Sequence, residues 1–151
     1  MKTKILMVCL GNICRSPLAE GIFKDRLDPE KFIVDSAGTG GYHIGELPDR
    51  RSIDIAKQFN IDITDQRCRQ FKKSDFAAFD HIFVMDQSNY NNVIALASNE
   101  KDIKKVQLIL NLSFPKENLE VPDPYYGGKD GFLNVYKMLD TACDAFIKKY
   151  A

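Results

Sequence analysis

Residues 4–18 read KILMVCLGNICRSPL. The first half is a short apolar run, Ile5-Leu6-Met7-Val8, that ends on Cys9. Gly11 and Asn12 interrupt it, five residues separate Cys9 from Arg15, and Ser16-Pro17 opens a helical pattern. The order is strand, tight loop, helix N-terminus. Such a loop is expected to turn its backbone N–H groups inward at the positive end of a helix dipole, where an oxyanion such as phosphate fits. Gly11 and Asn12 are the residues that tolerate the positive φ this requires. A thiol on the floor of that ring is expected to be ionised at neutral pH. Arg15 offers a planar fork that matches two phosphoryl oxygens, and Ser16 can hydrogen-bond a thiolate. A buried cysteine is most often plain core, but that reading leaves Gly11, Asn12, Arg15 and Ser16 unexplained.

Working outward, strand-like runs at 5–8, 32–36, 81–85 and 105–110 alternate with helical patterns at 17–27, 48–59, 88–97 and 131–150. This alternation predicts right-handed β-α-β crossovers and an open α/β/α arrangement, with helices on both faces of a four-stranded parallel sheet. Ligands of such sheets bind at the carboxyl ends of the strands. Cys9, Ser36 and Asp86 follow the first three strands and should face one crevice. The glycine-rich stretches 38–41 and 123–130 are expected as exposed loops.

At 151 residues, with no linker, repeat or low-complexity stretch, the chain reads as one domain over residues 1–151. Its 21 basic residues balance 21 acidic ones, so no basic excess points to nucleic acid. The small basic clusters at Arg50-Arg51 and residues 67–73 read as solvated faces. No stretch approaches the ~18 apolar residues of a membrane span. The apolar run after Lys2 and Lys4 is too short for a secretion signal and lacks a small-residue cleavage site. Val8 is too large to precede a lipidated cysteine. Cys9, Cys14, Cys68 and Cys143 form no C-x-x-C pair or Cys/His cluster, so neither zinc nor a disulfide framework is expected. A reducing, cytoplasmic setting follows. His43 and His81 stand apart and read as surface or packing residues.

A second motif lies near the other end: Val121-Pro122-Asp123-Pro124-Tyr125-Tyr126-Gly127-Gly128. Two prolines hold Asp123 in an extended loop. Asp123 alone reads as a turn residue and the tyrosines as loop packing or as a ring-binding wall.

Taken together, CLGNICRS at 9–16 and DPYYG at 123–127 resemble the low-molecular-weight protein tyrosine phosphatases. The likeness extends to Asp35-Ser36-Ala37-Gly38 and to Met85-Asp86-Gln87-Ser88-Asn89. The resemblance implies a flavodoxin-like fold and hydrolysis of phosphotyrosine and small aryl phosphates, releasing inorganic phosphate, with no metal and no cofactor. It implies Cys9 as the nucleophile of a phosphocysteine intermediate and Arg15 as the phosphoryl grip. Backbone groups of Leu10, Gly11, Asn12, Ile13, Cys14 and Arg15, with Ser16, complete the phosphate site. Asp123 becomes the general acid and base, and Asn12, Ser16 and Ser36 the loop supports. Tyr42, Tyr125 and Tyr126 become the walls of the substrate cleft. Cys14 becomes a possible disulfide partner of Cys9, sparing it from irreversible oxidation. Many relatives carry a histidine after the second helix that bonds the loop asparagine, and Gln66 is its nearest match here. Relatives acting on phosphoarginine carry threonine where this chain has Ile13, which favours phosphotyrosine.

Three other readings compete. An arsenate reductase would need further relay cysteines on a mobile segment, and Cys68 and Cys143 lack that setting. A phosphotyrosine-binding module would lack the nucleophile or the acid. A lipid anchor at Cys9 is disfavoured by Val8.

Overall fold

The computed structural model describes every residue except Tyr126, Gly127 and Gly128, with Lys129 described by its backbone only. Four strands, β1 (Thr3–Cys9), β2 (Phe32–Gly38), β3 (His81–Val84) and β4 (Val106–Leu108), form one parallel sheet in the order β2-β1-β3-β4. The helices are α1 (Arg15–Arg26), α2 (Arg50–Gln58), α3 (Asp75–Ala78), α4 (Gln87–Ile94), α5 (Glu100–Lys104) and α6 (Lys129–Tyr150). The sequence reading of a parallel sheet covered on both faces holds, and the fold is flavodoxin-like.

β1 runs through the middle and is buried on both sides, which is why it reads as an unbroken apolar run rather than an alternation. Ile5, Met7 and Cys9 face the larger core with α1 and α6. Leu6 and Val8 face a smaller one with Phe71, Phe76 and Val93. Phe146 of α6 anchors the larger core, with ring centroids 5.6 Å from Phe23, 5.8 Å from Phe32 and 6.0 Å from Phe83. Burying such rings supplies roughly 1.5–3 kcal/mol each.

Three expectations change. The fourth strand ends at Leu108 because the chain tightens into a 3-10 turn at Ile109–Asn111, which buries both Ile109 and Leu110. The short helices α3 and α5 lie outside the periodic pattern. The latter starts where the Asn99 side chain accepts from the Asp102 N–H at 2.9 Å, a local cap rather than an amphipathic stripe. Gly38 is not an exposed loop residue: it ends β2 opposite Cys9 and is buried.

The strand order reverses between β1 and β3, where β1 hands the chain to β2 on one side and β3 lies on the other. The crevice of an open parallel sheet sits at this switch point. Cys9 ends one of these strands and Asp86 follows the other.

Candidate active site

A cleft of about 370 Å³ opens at that point, lined among others by Cys9, Arg15, Tyr42, His43, Asp123 and Tyr125. Cys9 is 2% exposed at its floor. Residues 10–14 wrap around the cleft before α1 begins. Among the described residues, no protein acceptor takes the backbone N–H groups of residues 10–14. Buried backbone donors are seldom left so, and a ring of them at a helix N-terminus is an anion cradle. The left-handed turn falls on Asn12, at φ 58°. Gly11, the other residue that tolerates a positive φ, does not adopt one. It lies under His43, and a Cβ there would come within 3.3 Å of the ring.

Asn12 is the hub of the loop. Its Nδ2 donates to Ser16 Oγ at 2.8 Å and to Ser36 Oγ at 2.9 Å, and its Oδ1 accepts from the Arg69 N–H at 2.9 Å. Ser36 donates onward to Glu20 Oε1 at 2.6 Å. Ser16 Oγ lies 3.0 Å from Cys9 Sγ. With its oxygen already accepting from Asn12, the Ser16 hydroxyl keeps its proton free to donate to an ionised sulfur. Asn12, Ser16 and Ser36 are thus brought together with Cys9.

Arg15 is 3% exposed. Its Nη1 donates to Asp86 Oδ2 at 2.7 Å and to Val121 O at 3.0 Å, and its Nη2 stands 3.8 Å from Asp123 Oδ2. Burial works to discharge the guanidinium, but Cys9, Asp86 and Asp123 hold it protonated. Asp86 does two jobs, since its other oxygen caps α4 at the Asn89 N–H, 2.8 Å away.

Asp123 sits on the opposite rim between two prolines. Its Oδ1 accepts from the Tyr125 N–H at 3.0 Å, a short turn that faces the carboxyl toward the cleft. Tyr42 is exposed on the far wall and Tyr125 on the near one. Tyr126 lies outside the described residues. Cys14 precedes α1, and burial first, then Asp49, Cys9 and Asp123, push its thiol up to about 12. Ile13 lines the cleft.

Several residues of the site carry no signal in the sequence pattern. Glu20 is a buried carboxylate on the core side of α1, paired with Lys24 Nζ at 2.5 Å. An acid among the apolar positions of that helix is the only mark it leaves. Cys68 donates from Sγ to Asn12 O at 2.8 Å, bracing the left-handed residue from behind. Gln66 does not reach Asn12 as its family counterpart would. Its Nε2 donates to Pro17 O at 3.1 Å, and the Arg69 N–H takes the place beside Asn12. His43 stands on the rim of the cleft, its Nδ1 3.0 Å from Glu46.

The sequence matches the family described as low molecular weight phosphotyrosine protein phosphatase over residues 4–151. The enzyme of that name from Homo sapiens is 40% identical over 149 residues, spanning 96% of this chain and 94% of the human one. The crystal structure of a protein tyrosine phosphatase from Entamoeba histolytica is 39% identical. It superposes with a TM-score of 0.91 and covers 98% of this chain and 96% of that one. An arginine phosphatase of Drosophila, 34% identical, has a TM-score of 0.87 and covers 99% and 98% respectively. With Cys9, a buried arginine and the distant Asp123 meeting on one cleft, and with likeness along nearly its whole length, this chain belongs to the low molecular weight phosphotyrosine protein phosphatases.

Proposed function

We propose that the protein hydrolyses phosphotyrosine in proteins, and small aryl phosphates, through a phosphocysteine on Cys9. One observation carries the reading. Arg15 stands between the Cys9 loop and the Asp123 loop, one edge pinned by Asp86 and Val121, the other turned toward Asp123. A phosphoryl group seated in the loop would meet the thiolate below and the acid above.

In the first step the Cys9 sulfur attacks phosphorus in line and the phosphorus–aryl oxygen bond breaks. Asp123 gives its proton to the departing oxygen. The loop N–H groups and Arg15 hold the three remaining oxygens, where the charge is spread. A tyrosine phenolate has an intrinsic pKa near 10, so this proton is worth about 10²–10⁴-fold. In the second step water attacks phosphorus, Asp123 takes its proton, and the sulfur–phosphorus bond breaks to release inorganic phosphate. Ser16 donates to the sulfur as it departs.

Asp123 enters the first step protonated. A bound dianion claims Arg15 and would repel a carboxylate at the same rim. Tyr42 and Tyr125 flank a planar ring, and Ile13 gives the wall an apolar contact where a guanidine would want a polar one. That favours phosphotyrosine over phosphoarginine. Cys14 is proposed as the thiol that closes on an oxidised Cys9. Peroxide converts the thiolate to a sulfenic acid, and Cys14 displaces its oxygen as water to give a disulfide. All four cysteines are unpaired, in keeping with a reducing, cytoplasmic location, and no helix among the described residues is long and apolar enough to cross a membrane.

Steady-state kinetics on phenyl phosphate and a phosphotyrosyl peptide test the reading. Cys9→Ser should abolish turnover while retaining phosphate binding, and a phosphoarginyl peptide should be the poorer substrate. Turnover surviving in Cys9→Ser would overturn it.

A further inference from the structure

Arg51, on the first turn of α2, lies outside the cleft lining yet is linked to both loops that make it, directly to one and through Asp49 to the other. Its Nε and Nη2 take the two oxygens of Asp49 at 3.1 Å each. The Asp49 N–H donates to Ile13 O, in the middle of the phosphate loop, at 2.7 Å. On the other side, Arg51 Nη1 donates to Tyr125 O at 2.9 Å. The guanidinium also stands 4.9 Å from the centroid of the Tyr125 ring and 4.7 Å from that of Phe132. Tyr125 in turn holds Asp123 through its N–H. Ile13, Asp49, Arg51, Tyr125 and Asp123 form a continuous bridge from the cradle to the acid.

We propose that Arg51 is a positioning residue that sets the distance between Asp123 and the leaving oxygen. This rests on the reading of Asp123 as the acid given above. The fork is what makes the bridge stiff. Two of its edges are used at once, one on a carboxylate and one on a carbonyl, while its face lies against aromatic rings, and a lysine ammonium cannot reproduce that geometry. Asp49 is held below the usual carboxylate range: burial opposes this, but hydrogen bonds and charge from Arg51 overcome it. The pair is therefore ionised across the working range of the enzyme. Asp123 has only the Tyr125 turn and Arg15 as further described partners. When phosphate claims Arg15, the Arg51 bridge still ties Tyr125, and through it Asp123, to the Asp49 end of the loop, while Val121 N–H stays on Met85 O at 2.8 Å. Proton donation demands heavy atoms within about 3 Å, and misplacement by ~1 Å can cost on the order of 10²-fold.

The experiment compares wild type, Arg51→Met, Arg51→Lys and Asp123→Asn on two substrates. Phenyl phosphate needs the proton, and 2,4-dinitrophenyl phosphate does not. Inhibition by inorganic phosphate and thermal midpoint are measured alongside. Arg51→Met should lower kcat/KM, which reports the first step alone, on phenyl phosphate by about 10-fold or more and on the dinitrophenyl ester by less than about twofold. Phosphate inhibition should stay within about twofold of wild type, since the cradle remains. Arg51→Lys should recover only part of the loss, and Arg51→Met should add little to the kcat/KM loss in an Asp123→Asn background, because both act through the one carboxyl group. A purely structural role would lower both substrates alike. Equal loss on both, or no loss on either, overturns the proposal. If Arg51→Met does not fold, the ratio of the two substrates in Arg51→Lys decides by the same criteria. If Asp123→Asn itself fails to discriminate the substrates, the acid assignment falls. If it discriminates and the Arg51 variants do not, only the present inference falls.

Discussion

The side-chain oxygen of Asn12 accepts the backbone N–H of Arg69 at 2.9 Å, across 57 residues of sequence. That one bond sets the orientation of the amide. With Oδ1 committed, both Nδ2 hydrogens go to Ser16 and Ser36, and each hydroxyl keeps its own proton for another partner. Ser36 donates to Glu20, and Ser16 faces the Cys9 sulfur at 3.0 Å. A backbone donor far along the chain thereby leaves the Ser16 proton free beside that sulfur.

Asn12→Asp tests this polarity. Aspartate tolerates the left-handed backbone, so the loop should still form. Its carboxylate would accept from Ser16 and Ser36, which reverses both bonds and places a charge beside Cys9. The acidic limb of the kcat/KM profile should move to higher pH, with kcat falling on the order of 10-fold or more. An unshifted limb would show that donor direction is immaterial.

Glu20 should matter more for stability than for the chemical step. Glu20→Ala strands the Ser36 hydroxyl without its acceptor, at a cost of ~1–3 kcal/mol. Glu20→Gln keeps an acceptor oxygen and should recover much of that loss. Urea unfolding at constant m-value measures both. Equal stability of the two variants would argue against a specific role for this bond.

Gly38 has no room for a side chain. A Cβ there would stand 2.8 Å from Leu10 O and 3.0 Å from Asn12 N, both backbone atoms of the phosphate loop. Gly38→Ala should push the loop away from β2, lowering stability by roughly 1–3 kcal/mol and weakening phosphate binding together. Inhibition by phosphate and a melting curve on the same sample check it. Loss of one without the other would contradict the shared cause.

His81 should make the fold acid-sensitive. Burial lowers its pKa, with Lys149 adding to the effect and Asp80 opposing it. Its ring packs 4.8 Å from Tyr150 and 5.7 Å from Phe146. Below the unfolded value of about 6.5 the unfolded chain binds a proton that the folded one resists, so stability falls as pH drops through and below that point. The thermal midpoint should decline more between pH 7.5 and 5.5 in wild type than in His81→Phe. Parallel declines would assign the effect to other groups.

The parts legible in the sequence were those written locally. The run at β1 read as a short apolar strand, unbroken because both of its faces are covered. Cys9, Arg15 and Ser16 were legible because strand, loop and helix N-terminus follow one another without a gap. Asp123 by itself read only as a turn residue between two prolines, and its place at the cleft came from the resemblance. Of the two residues read as tolerating a positive φ, Asn12 takes it and Gly11 does not. A less local feature was misread. Gln66 was read as the partner of Asn12, whereas a backbone N–H does that work.

By itself the chain determined the alternation of strands and helices, the cradle after β1 and the chemical kinds present at each end, since these follow from periodicity and short-range backbone preference. Only the tertiary structure decided that Asp86, Val121 and Asp123 converge on Arg15, and that Arg69, Glu20 and Cys68 brace the loop. Those contacts join residues distant in sequence. Their geometry is set by strand order and by the need to satisfy every buried donor at once, which no local pattern records.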